Sequence, residues 1–200
     1  MRDEEDAQAV RRALYVLFAR LFAAPPDAPL FARLARNGLR DLAAAQGLDL
    51  TSDLVDEEDA EGCAAELAAE YDRLFHATSL RASDYAAGAE DPVAATSAYL
   101  REHALVLDQS VPLPTDHLSV ALGVMGALAA QAEAAARRKE PEALDLARTR
   151  GRAFLLRHLL PWSQSALTEV AARADRRFYR VLAAMASAFL ESERRLVGNT

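Results

Sequence analysis

Apolar side chains recur at three- and four-residue intervals along most of this chain, a period that suits helices rather than strands. Near the start, Ala7, Val10, Leu14, Leu17 and Leu21 follow it, with Phe18 and Phe22 widening the stripe. An amphipathic helix is expected there, ended by Pro25 and Pro26. Leu30 and Leu34 suggest a short second helix, and Leu39 and Leu42 suggest more helix to about Ala45, with a break at Gly47. An acid cluster, Asp53, Asp56, Glu57, Glu58, Asp59 and Glu61, precedes or opens a helix to about Phe75. Residues 93–105 read as a helix. Later stripes are Leu118, Ala121, Leu122, Met125 and Leu128, then Leu144, Ala147, Phe154, Leu155 and Leu159, then Phe178, Val181, Leu182, Met185 and Phe189. Pro141 suits the first position of a helix, and Pro161 is expected to break or kink one. No period-two alternation and no internal repeat appear. Eight Gly and eight Pro in 200 residues are too few for a turn-rich β protein. The expected fold is an all-α, single-domain helical bundle over residues 1–200, with flexible connectors near 76–92 and 105–114.

Charge and composition narrow the function classes. Acids outnumber bases, 30 to 23, for a net charge of −7. Such a surface repels a nucleic-acid backbone and attracts a basic ligand. The single cysteine, Cys63, permits no internal disulfide and sits among alanines, where a small buried residue is expected. The N-terminus Met1-Arg2-Asp3-Glu4-Glu5-Asp6 is not a signal peptide. No run is read as approaching the roughly 20 apolar residues of a membrane span. A cytoplasmic protein without stable membrane insertion is expected.

Catalytic patterns are missing from the sequence. Gly123 and Gly126 lie in a helical stripe and lack the Lys-Ser/Thr of a phosphate loop. The histidines, at 76, 103, 117 and 158, do not pair at helical spacing. No Glu-x-x-His or Gly-x-Ser-x-Gly motif occurs. The expectation is a protein that is not an enzyme and takes no cofactor or metal.

Two segments stand out instead. In Leu113-Pro114-Thr115-Asp116-His117-Leu118, proline precedes a helix. Thr115 is expected to cap that helix, and Asp116 to lie in its first turn, where the dipole favours negative charge. In Glu70-Tyr71-Asp72-Arg73-Leu74-Phe75, the spacing puts Tyr71, Leu74 and Phe75 on one helical face. Leu74 and Phe75 are expected to be mostly buried, and Tyr71 to sit at a rim.

Together these segments resemble the TorD/DmsD/NarJ family of redox-enzyme maturation chaperones. The first signature is matched by Tyr71, Leu74 and Phe75, a following Ser-x-Tyr element by Ser83 and Tyr85, and the second signature by Pro114, Asp116, His117 and Leu118. The helix end His158-Leu159-Leu160-Pro161-Trp162 is also similar. The resemblance implies a TorD-like bundle and a peptide-binding site at Tyr71, Leu74, Phe75, Ser83, Tyr85, Asp116, His117 and Leu118. It implies, as partner, an apo molybdoenzyme catalytic subunit and its twin-arginine leader, with Asp116 and the acidic surface meeting the leader's arginines. A NarJ-like assembly factor for a non-exported membrane-bound reductase is the alternative, and a helical ligand-binding regulator domain a more remote one. A monomer or a domain-swapped dimer is compatible with the long connectors.

Overall fold

The computed structural model describes residues 2–36, 60–85, 91–106 and 112–198. Leu39, Leu42, Ala45, Gly47 and the acid cluster up to Asp59 lie outside the described residues, as do 86–90 and 107–111. The described chain is all-α: α1 Arg2–Ala23, α2 Ala28–Arg36, α3 Ala60–Ala77, α4 Pro92–Glu102, α5 Leu118–Arg138, α6 Pro141–Phe154, α7 Leu160–Arg173 and α8 Arg177–Gly198. A short 3-10 turn covers Ala82–Asp84, and a π turn covers Leu155–Leu159. By packing, the chain forms two compact units: Met1–Ala23, Leu80–Ser163 and Arg194–Thr200 make the first, and Ala24–Ser79 with Gln164–Glu193 the second.

In the first unit, α5 is the central helix. Leu118, Leu122, Val124 and Leu128 are buried along it, and α1 contributes Tyr15, Phe18, Leu21 and Phe22 to the same core. Burying each such side chain stabilises by about 1.5–3 kcal/mol. Gly126 sets how closely the two helices approach. A Cβ there would stand 3.1 Å from Val16 Cγ2. Ser119 Oγ donates to Ala19 O at 2.6 Å, so a polar tie crosses the same interface. Contrary to the sequence reading, α5 is long and apolar enough to cross a membrane by length and composition. The many alanines of α5, together with its leucines and valines, keep its mean hydropathy high. Yet 67% of its most apolar window is buried within the protein, as a core helix requires.

Helix boundaries follow local chemistry. Asp91 caps α4 by accepting from Val93 N, with Pro92 in its first turn. Lys139 closes α5 in the left-handed conformation at φ 58°, and Pro141 opens α6. The break expected at Pro161 is instead a π turn just upstream. Leu160 N donates to Leu155 O, five residues back, and helix resumes at Leu160. Proline is tolerated because a first-turn position needs no N–H donor.

The second unit contains α2, α3 and the α7 and α8 residues from 164 to 193. Phe31, Leu67, Leu74, Val170, Phe178 and Leu182 are buried in it. Asp27 Oδ1 accepts from Leu30 N at 2.8 Å and starts α2. Cys63 is only half-buried, which corrects the expectation of a buried thiol. Its helix α3 extends two residues past Phe75 to Ala77, so the expected connector begins later than its sequence suggested.

Candidate peptide-binding elements

The sequence-predicted residues fall in two groups, one in each unit. In the first unit, residues 80–82 run antiparallel to 116–118. Leu118 N donates to Leu80 O at 2.8 Å, and Ala82 N donates to Asp116 O at 2.9 Å. This pairing and the 3-10 turn give structure to a stretch expected to be a flexible loop. Asp116 locks it. Its Oδ1 accepts from Arg81 Nε at 3.1 Å, and its Oδ2 accepts from Ser83 N at 3.3 Å. The Asp116 side chain is 0% exposed and that of Arg81 is 43% exposed. Burial works to raise the Asp116 pKa, but the bonds from Ser83 and Arg81 outweigh it and hold the carboxyl below its usual range.

Two expectations about this segment are therefore corrected. Helix α5 starts at Leu118, and its N-cap is His117, whose Nδ1 accepts from Ser119 N at 3.2 Å. Thr115 does not cap; its Oγ1 donates to Val93 O at 3.3 Å and lies 3.2 Å from Ser97 Oγ, tying the turn to α4. Asp116 stands outside the helix, its carboxylate bonded to Arg81 and Ser83. Leu118 is likewise fully buried. The imidazole of His117 is kept neutral: burial pushes its pKa down to about 4, Asp116 opposes that shift, and Arg81 adds to it.

Beyond the 3-10 turn, Tyr85 stacks on Trp162, with ring centroids 6.4 Å apart and planes at 18°. Trp162 is itself fixed by its Nε1 donating to His158 O at 2.8 Å. The turn thus delivers Ser83, which is exposed, and Tyr85, which is half-buried, to the surface of this unit.

In the second unit, Tyr71 and Phe75 pack at 4.6 Å between centroids on one face of α3. Both also contact Tyr179 of α8, at 6.1 and 5.9 Å. Leu74 and Tyr179 are buried, whereas Tyr71 and Phe75 are half-buried. Tyr71 thus sits at the expected edge, and Phe75 is more exposed than anticipated. The Tyr179 hydroxyl donates to Leu67 O at 3.0 Å, and burial first, then Tyr71 and the carboxylates Glu70 and Asp72, raise its pKa.

Two features escaped the sequence reading. The buried carboxylate of Glu70 accepts from Asp175 N at 2.7 Å and from Arg176 N at 3.2 Å, capping α8 from another helix. Arg73 grips the same carboxylate with two bonds of 3.0 and 2.9 Å. The tandem Glu70-Tyr71-Asp72-Arg73 hinted at charge pairing, but its target lies a hundred residues away. The second is a cavity of about 650 Å³ in the first unit, between α1, α5 and α6. No predicted site residue lines it.

The fold is all-helical, with one motif supporting a surface turn and the other an aromatic edge. The chain belongs to the nitrate reductase delta subunit family, which matches residues 34–168 and so spans both motifs. This is a family of redox-enzyme maturation chaperones, acting as assembly factors rather than catalysts. No curated protein matches the chain.

Proposed function

We propose that the protein binds the leader, the apo form, or both, of a molybdenum-cofactor oxidoreductase in the cytoplasm. It would support cofactor insertion and proofreading before twin-arginine export. The family match across both motifs carries this reading. The contacts we assign to the client are Tyr71 and Phe75 on one element, and Ser83 and Tyr85 on the other. Leu74, Asp116 and Leu118 are buried and act by supporting them. His117 holds the start of α5 in the same way.

Energetics favour a client that offers more than a few apolar side chains. Three leucine-sized side chains yield roughly 5–9 kcal/mol gross. Ordering a flexible leader costs about 2–5 kcal/mol. The remainder, roughly 0–7 kcal/mol, corresponds at best to binding on the order of ten micromolar. A tight complex therefore draws on charge or on the folded part of the client.

Titration calorimetry with the synthetic leader and with the full apo-client tests this. Tyr71→Ala and Phe75→Ala are each expected to weaken binding by about tenfold, the scale of one anchor side chain. Unchanged affinity in the double variant would remove the proposed contact. A second reading starts from the family's description, nitrate reductase delta subunit, and takes the client to be a non-exported membrane-bound reductase. It predicts that deleting the client's N-terminal leader leaves affinity unchanged, whereas the export reading predicts a loss.

A further inference from the structure

The 650 Å³ cavity of the first unit has a consistent chemical character. Its floor includes Tyr15, Met125, Leu128 and Leu155, all buried. Leu196, 58% exposed, stands along its edge. Among the charged residues lining it, three are cationic, Arg11, Arg148 and Arg152, and one is acidic, Asp145. In a chain of net charge −7, this is a local inversion of sign. Arg148 and Arg152 are one helical turn apart on α6, so their guanidinium groups share a face.

We propose that this cavity binds a small anionic amphiphile: an unbranched apolar chain of about ten carbons with a carboxylate or phosphate head. Its volume falls within the roughly 300–1,000 Å³ usual for small-molecule sites. The lining residues run from Asp145 to Leu155 and from Met125 to Ala132, roughly 10–15 Å along the helix axes. An extended aliphatic chain matches that length. The apolar chain would lie over Leu128 and Leu155, and the head would reach Arg148 and Arg152. These arginines already engage other groups of the protein, so the anion would join a polar network rather than fill an empty one. The same charges disfavour the basic part of a twin-arginine leader, which makes this site independent of the proposed client contacts.

Calorimetry on the full chain with decanoate, decyl phosphate, decanol and decylamine, each below its aggregation threshold, tests the assignment. At least one anion is expected to bind saturably at one per chain, with decanol and decylamine at least tenfold weaker. The tighter anion identifies the head group. The double variant Arg148→Glu/Arg152→Glu, at exposed positions, should weaken the anion at least tenfold while the helical circular dichroism spectrum is retained. A second variant, Gly151→Leu, blocks by volume: a Cβ there meets only Met125 Cε at 4.0 Å, and the longer side chain enters the cavity. Equal binding of decylamine, an unchanged affinity in the charge-reversed variant, or no saturable anion binding would overturn the proposal. So would one-to-one binding of an acidic apolar helical peptide when neither anion binds, since the site would then belong to a polypeptide.

Discussion

At the scale of single residues, the pair Asp116 and His117 governs the order of the 80–85 turn. Neutral His117 accepts from Ser119 N, and a protonated imidazole cannot. Its folded pKa of about 4 lies below the unfolded value near 6.5. The stability it contributes is therefore complete above about pH 6.5 and lost as pH falls through that window toward 4. Asp116 also has a lowered pKa, so its contribution is present above about 3.9 and lost only below that, as pH falls through the folded value. Acid should loosen the segment in two steps, His117 first. Between pH 7 and 4.5 the first step costs on the order of 2–3 kcal/mol. His117→Asn keeps a capping side chain but removes the titration. Urea unfolding across this range should show a clearly shallower pH slope in the variant, and parallel slopes would refute the assignment. Asp116→Ala, which removes the acceptor of Ser83 N, is expected to cost about 1–3 kcal/mol at pH 7 by the same measurement, the half-exposed Arg81 guanidinium being hydrated by solvent.

At the scale of elements, Glu70 forms a tertiary joint in the second unit at the start of α8. Its ion pair with Arg73 is not the main term, because that guanidinium is 48% exposed and solvent screens it. The two backbone N–H groups of Asp175 and Arg176 are different: without Glu70 they lose the partner that caps α8. Glu70→Ala should destabilise by about 2–4 kcal/mol, and Glu70→Gln by about half as much because one acceptor oxygen remains. Thermal unfolding would show it; equal melting of both variants would mean that charge, not capping, holds the joint. The same joint marks the limit of what the sequence reveals. The stripes of α5 and α8 were legible because a 3.6-residue period is local, whereas on α1 the buried face is Tyr15, Phe18, Leu21 and Phe22 and the expected Val10 is 57% exposed. The Leu74 position was legible for the same reason. The α5 cap was misplaced by two residues because threonine outranks histidine in local capping preference, and only the pairing of 80–82 with 116–118 draws Asp116 away. The Glu70 cap and the arginine-edged cavity depend on residues that meet only after folding, so no local pattern announces them.

At the scale of the whole molecule, charge and contact should act on different rate constants. A net charge of −7 gives the protein a long-range attraction for a basic leader, whatever residue the leader finally touches. That attraction acts during approach and is screened beyond about 8–10 Å at physiological salt. Aromatic contacts at Tyr71 and Phe75 act only after encounter. If the proposed client is a twin-arginine leader, raising ionic strength from about 0.02 to 0.3 M should slow association by on the order of tenfold and leave dissociation nearly constant. Tyr71→Ala should do the opposite, speeding dissociation without changing the salt dependence of association. Stopped-flow fluorescence with a labelled leader separates the two. A salt-independent association rate would remove electrostatic capture from the mechanism. A Tyr71 variant that changes only association would remove the aromatic edge as the holding surface, because a side chain that grips the bound leader must act on its escape.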